Sequence, residues 1–185
     1  MKPLRTDRLV LRQWRDGDRP AFAAMNADPC VMRFFGFTRT REQSDAIMNL
    51  LSAHIAEHGF GFFALELRAS GEVIGFTGLQ PVDFDAAFTP AVEIGWRLLP
   101  AHWGKGYATE AAAACLDLGF GRHGLAEIVS FAVVGNRPSR RVMERIGMRR
   151  EPAFDFDHPR VEAAALRRHA FYRIAAEDFR KATAR

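Results

Sequence analysis

The stretch from Val92 to Glu110 constrains this chain more than any other. Val92-Glu93-Ile94-Gly95-Trp96-Arg97-Leu98 alternates as a strand does, and Pro100, Gly104 and Gly106 then break the pattern before an alanine-rich helix that opens at Tyr107. A strand, a glycine turn and a helix leave the N–H groups of the first helical turn without acceptors and open to an anion. Gly104 and Gly106 let a phosphate reach the backbone, and Lys105 adds charge. No Walker A loop is present, because Gly106 rather than Ser or Thr follows the lysine. Read from the residues alone, the segment is either a pyrophosphate cradle or a tight strand-to-helix turn.

The flanking sequence supplies a sheet to carry that turn. Leu9 to Trp14 reads as a strand, and Asp18 is placed to cap a short helix through Pro20 to Met25. Thr40 opens a helix over Arg41 to His58 that Gly59 stops, and strands at Phe60–Leu67 and Val73–Leu79 are joined as a hairpin by Ala69-Ser70-Gly71-Glu72. A helix over Tyr107 to Phe120 precedes a strand at Ile128–Val134. Asn136 then caps a helix that carries Val142, Met143 and Ile146, and a last strand lies near His169–Ile174. That order predicts a mixed sheet covered by helices, in one domain spanning residues 1–185.

Composition narrows the partners. The 26 Lys+Arg against 22 Asp+Glu leave +4, and the lysines are only Lys2, Lys105 and Lys181. The arginines come in pairs, not in the long blocks of nucleic-acid arms, so no nucleic acid is expected. No uncharged stretch approaches the ~20 apolar residues of a membrane span, and charge interrupts residues 1–8 where a signal peptide would need an apolar core. The chain therefore reads as cytoplasmic, with Cys30 and Cys115 as free thiols.

Two other patterns compete for chemistry. Gly119-Phe120-Gly121-Arg122-His123-Gly124 matches the dinucleotide fingerprint by letter, but it follows a helix and precedes a strand, the reverse of what that fingerprint requires. His54-Ile55-Ala56-Glu57-His58 matches H-x-x-E-H, so a zinc hydrolase is the alternative chemistry, although no third ligand is identifiable nearby. Cys115, mid-helix among alanines, reads as a buried small side chain and not as a nucleophile. Phe34-Phe35-Gly36-Phe37 reads either as core or as the border of an acceptor cleft.

The turn and helix, Trp103-Gly104-Lys105-Gly106-Tyr107-Ala108-Thr109-Glu110-Ala111, resemble motif A of the GCN5-related N-acetyltransferases, R/Q-x-x-G-x-G/A. Thr6 to Arg12, Val92 to Trp96, and Asn136 to Met148 resemble the RimJ/RimL-like branch of that family. The resemblance runs from about Thr6 to Tyr172. It implies an α+β, three-layer α/β/α fold with a mixed, mostly antiparallel sheet of six or seven strands. It further implies acetyl-CoA as cosubstrate without a metal, an amine acceptor, and direct attack of the amine on the thioester. A second copy of the chain is admitted as a partner; a CoA-binding regulator without catalysis is the other alternative.

The resemblance also assigns residues. The pantetheine arm pairs like an extra strand with Leu98 and Leu99, and the pyrophosphate rests on Trp103, Gly104, Lys105, Gly106, Tyr107, Ala108 and Thr109. Asn136 bonds the arm and Met143 packs beside it. Two positions depart from the family pattern: Trp103 replaces the Arg or Gln of motif A, and Met143 replaces a tyrosine that protonates the leaving thiolate. By position, Glu93 on the strand that presents the thioester reads either as the base, acting through a water, or as an ordinary paired strand carboxylate, and Ser139 reads either as the acid or as a first-turn hydroxyl bonded to backbone.

Overall fold

The alternating segments fold as one antiparallel meander interrupted by helices. A computed structural model of the chain describes residues 2–183. A short strand β1 (Leu4–Arg5) precedes β2 (Leu9–Arg12), then α1 (Arg19–Ala27), α2 (Pro29–Met32) and α3 (Arg41–His58). Strands β3 (Phe62–Leu67), β4 (Val73–Pro81) and β5 (Val92–Leu98) follow, then α4 (Tyr107–Asp117), β6 (Glu127–Val133) and α5 (Arg137–Arg145). The chain closes with β7 (Arg149–Arg150), β8 (Phe156–Asp157), α6 (Ala164–Arg167), β9 (Arg168–Ala175) and α7 (Ala176–Thr183).

The sheet runs β1-β2-β3-β4-β5-β6-β9-β7, with β8 also on β9. Every neighbouring pair is antiparallel except β5 with β6. Six strands have four residues or more, and the others are two-residue additions at the margins. Helices cover both faces of the sheet, as the expected three layers require.

Strand register sorts side chains onto the two faces. Phe76 and Arg97 pair across β4 and β5, and Phe22 of α1 packs on Phe76, so α1 covers the face that also carries Glu93 and Gly95. On the other face lie Ile94, Leu98, Leu79 and Ile128, with α4 and α5 against them. The buried core runs through both layers, from Leu9, Leu11 and Phe63 to Ala111, Ala112, Cys115 and Tyr172.

Thr40 caps α3 by accepting the Gln43 N–H, and Gly59, in the left-handed region, ends it. Asp18, expected as a helix cap, does something else. Its carboxylate takes a two-point contact from Arg12, Nη1 at 2.7 Å and Nη2 at 2.9 Å, while Glu66 takes Arg12 Nε at 2.6 Å. A buried charge-assisted pair displaces the weaker cap. Asp18→Ala is expected to destabilise the fold by about 3 kcal/mol, because Arg12 would stay buried with half of its counter-charge. Urea unfolding with an unchanged m-value checks this, and a shift under 1 kcal/mol contradicts it.

Candidate active site

The cleft begins where the sheet fails to close. Strands β5 and β6 share one register pair, Glu93 with Val129, and then separate. Past it, Ile94 O accepts the Ser130 hydroxyl at 2.8 Å instead of a strand partner, and Leu98 O accepts the Trp103 indole N–H at 2.8 Å. Leu99 is committed on both sides: its N–H donates to Ile74 O at 2.9 Å and its carbonyl accepts from His102 at 3.0 Å. An added strand therefore has the β5 edge ahead of Leu99 to pair with, not Leu99 itself, which narrows the pairing expected from the sequence.

At the end of this gap lies the glycine turn. Gly104 and Gly106 adopt φ of 74° and 83°, a left-handed backbone that favours glycine. Nothing lies within 4 Å of where a Cβ on Gly104 would stand, so the approach is open. The first helical bond of α4 runs from Glu110 N–H to Gly106 O, which leaves the N–H groups of Tyr107, Ala108 and Thr109 without a helical acceptor. Trp103 stands exposed beside them. The geometry fits a pyrophosphate.

Sequence reasoning missed the residues that brace this turn. Arg8 donates from Nε to Glu110 Oε2 at 2.6 Å and from Nη1 to Lys105 O at 2.9 Å, and its guanidinium lies 4.6 Å from the Tyr107 ring centre. The Thr6 hydroxyl donates to Glu110 Oε1 at 2.6 Å. Burial alone would raise the Glu110 carboxyl, but the bonds from Thr6 and Arg8 outweigh it and hold the group below its ordinary range. No local pattern links Arg8 to a helix about a hundred residues away; the contact exists only in the fold.

On the α1 face of β5, Glu93, Gly95 and Arg97 follow one another at two-residue spacing. Glu93 is partly buried, and desolvation, with Asp83 nearby, pushes its carboxyl up to about 7. Beyond it, Phe84, Phe88, Phe131, Phe156 and His158 pack ring to ring and line one side. Burial and the neighbouring His169 and Arg160 push His158 down to about 4, so this wall is uncharged at neutral pH. On the other side, Arg33 lies over Phe34 and Trp103, and Phe35 and Phe37 are exposed, which puts this aromatic segment at the mouth of the cleft rather than in the core.

Across the gap, Asn136 caps α5 by accepting the Ser139 N–H at 3.3 Å. The Ser139 hydroxyl takes no part in that cap. Met143 is 1% exposed and belongs to the core, so it shapes the wall from behind.

The competing patterns land elsewhere. The Gly119–Gly124 segment continues α4 as a π-helical turn, Leu118–Arg122, and a Cβ on Gly119 would meet Ile128 and Leu79 at 2.8 Å. Gly119 serves helix–sheet packing, and the α-helix expected to reach Phe120 ends at Asp117. His54 and His58 stack at 4.4 Å beside Phe60, and burial holds His54 below its ordinary pKa. Among the described residues no group of three or more His, Cys, Asp or Glu is placed to hold a metal ion. Cys115 is fully buried and its thiol is pushed up by desolvation. No described helix is long and apolar enough to cross a membrane.

The sheet opens between two parallel strands, and a glycine turn with unpaired N–H groups leads into the helix beside the opening. Residues 8–149 match the acetyltransferase (GNAT) domain family, and the chain belongs to that family. It is similar to the uncharacterized N-acetyltransferase YnaD of Bacillus subtilis (strain 168), with 34% identity over 150 residues, 80% of this chain and 84% of that one. It is also similar to the FsC-acetyl coenzyme A-N(2)-transacetylase of Aspergillus fumigatus, with 30% identity over 187 residues, 95% of this chain and 77% of that one. A GNAT-family acetyltransferase structure from Bacillus anthracis superposes with a TM-score of 0.80 at 28% identity, covering 95% of this chain and 99% of that one. The chain is an N-acetyltransferase.

Proposed function

We propose that the chain moves the acetyl group of acetyl-CoA to a primary amine by direct attack in a ternary complex. The observation that carries this is the separation of β5 from β6 after the single pair Glu93 with Val129, directly ahead of the open turn at Gly104 and Gly106. The name of the Aspergillus relative, an acetyl coenzyme A transacetylase, supports the same donor.

In this reading the N–H groups of Tyr107, Ala108 and Thr109, with Lys105, hold the pyrophosphate, and Trp103 flanks it. The β5 edge up to Leu98 pairs with the pantetheine arm, and Asn136 uses its remaining amide N–H groups from the α5 side. The thioester supplies an activated acyl carbon. Glu93 accepts the amine proton through a water as the nitrogen attacks, and Ser139 supplies a proton to the departing sulfur as the C–S bond breaks.

Two measurements test this. Thiol release from acetyl-CoA is expected with at least one member of a panel of N-terminal peptides, polyamines, aminoglycosides and amino acids; binding of acetyl-CoA without release for any amine would instead make the chain a coenzyme-binding regulator. Ser139→Ala is expected to lower kcat by about tenfold to a hundredfold, with acetyl-CoA binding unchanged. A thiol is already a fair leaving group, with a pKa near ~8.5, which holds the effect to that range. Wild-type kcat in this variant would remove Ser139 from the mechanism.

A further inference from the structure

Three arginines stand at the cleft mouth beside α1 and α2, and among the described residues none of them has a carboxylate within ion-pair distance. Aromatic rings cover them instead. The Arg97 guanidinium lies 4.2 Å from the Phe35 ring centre and 5.2 Å from that of Phe76, and Arg39 lies 4.7 Å from that of Phe37. Arg33 lies 4.6 Å from the Phe34 ring centre. One hydrogen bond holds Arg97, from Nη1 to Asn26 Oδ1 at 2.6 Å, and its Nε is buried without a partner.

A guanidinium withdrawn from water without a counter-charge is costly. Arg12, which is buried, is treated differently, since it has both Asp18 and Glu66. Desolvation and the nearby Arg39 push Arg97 down to about 10, which leaves it a cation at neutral pH. The ring stack further fixes the planar group and favours two-point recognition of a carboxylate.

Position says which ligand this charge serves. Arg97 projects on the face of β5 that carries Glu93, four residues along the strand, or about 13 Å at roughly 3.3 Å per residue. Helix α4 packs on the opposite face, and of the three arginines only Arg33, 5.9 Å from the Trp103 ring centre, reaches towards the glycine turn. We propose that Arg97, supported by Arg39, binds the carboxylate of the acceptor, so that the amine acetylated belongs to a molecule that also carries an acid group, an amino acid or short peptide rather than a polyamine. This rests on the transferase reading. Phosphates of the coenzyme are the other anion within the same chemistry, and the experiment separates the two sources.

The test compares amino acids, dipeptides and tripeptides as free acids and as their carboxamides, at equal concentrations of free amine. Wild-type kcat/KM is expected to favour the acids by about tenfold or more, as charge-assisted bonds to a carboxylate allow. Arg97→Gln should erase that preference by lowering the acids alone, with the carboxamides within about twofold and KM for acetyl-CoA unchanged. Arg39→Gln should reduce the preference in part, and it stands in if Arg97→Gln does not fold. A wild type indifferent to acid or amide, or a raised KM for acetyl-CoA in place of the acceptor effect, overturns the proposal. Calorimetric titration of acids and carboxamides into the CoA-bound protein reads the same preference without turnover. Acid-selective binding with no acetylation would overturn the transferase reading and leave the carboxylate site standing, whereas equal binding of acid and amide overturns the site.

Discussion

Gly106→Val is expected to abolish the stabilisation that acetyl-CoA gives the protein. A ligand that binds only the folded state adds RT ln(1 + [L]/Kd), about 2.7 kcal/mol at a hundredfold excess over Kd, and the variant should show none of it. The reason is local. Gly106 holds φ of 83°, a conformation that a β-branched residue adopts only with strain, and a Cβ there would stand 3.4 Å from Arg8 Nη2. The side chain would crowd the open N–H groups of Tyr107, Ala108 and Thr109 and the arginine that braces the turn. Lys105→Ala serves as the contrast, because it removes one charge and leaves the backbone intact; it should weaken binding without eliminating it. A folded Gly106→Val protein with a wild-type thermal shift would show that the coenzyme is held elsewhere.

Glu93→Gln is expected to lower kcat/KM by about 10²–10⁴-fold for a lysine-like amine at neutral pH, the usual range for a lost general base. Such an amine, with a pKa of ~10.4, is almost wholly protonated there, whereas an α-amine at ~7.7–8.0 already supplies some free base and should lose less. With the Glu93 carboxyl pushed up to about 7, wild-type activity should rise as pH passes that value. In the variant this limb should move to higher pH, towards the amine's own titration. Stability gives a second reading of the same group. Between the ordinary carboxylate range and pH 7, folded Glu93 keeps a proton that the unfolded chain has released, so it lowers wild-type stability as pH rises through that window. Glu93→Gln should lose this component. Superimposable rate profiles for both amine types would make Glu93 structural.

What the sequence made legible followed from local rules. Thr40 and Gly59 bound α3 because a capping hydroxyl and a left-handed glycine act within one turn, and the limits of β5 follow from alternation that ends at a proline. The glycine turn was legible for the same reason. The two-residue strands β1, β7 and β8 were not, because they are too short to show a period and exist only by pairing with a longer neighbour. Asp18 was misread because its partner, Arg12, sits on a different element, and a bidentate ion pair outbids a cap. Arg97 carried no signal at all: in sequence it is the polar position of an alternating strand, and only the fold shows rings stacked on it where a carboxylate would be expected.

The bond from Arg8 N–H to Glu110 Oε1 closes a loop of 102 residues. A nascent chain therefore holds Arg8 and Glu110 as strangers until α4 has been synthesised, and the glycine turn is braced only once the two meet. Closing so long a loop costs entropy, and the strands that pair between the two residues shorten the effective loop. On the proposed function, coenzyme capture therefore reads whether the amino-terminal segment is docked onto α4: loss of the Arg8 and Thr6 contacts leaves the strands of the cleft in place and removes the brace of the turn.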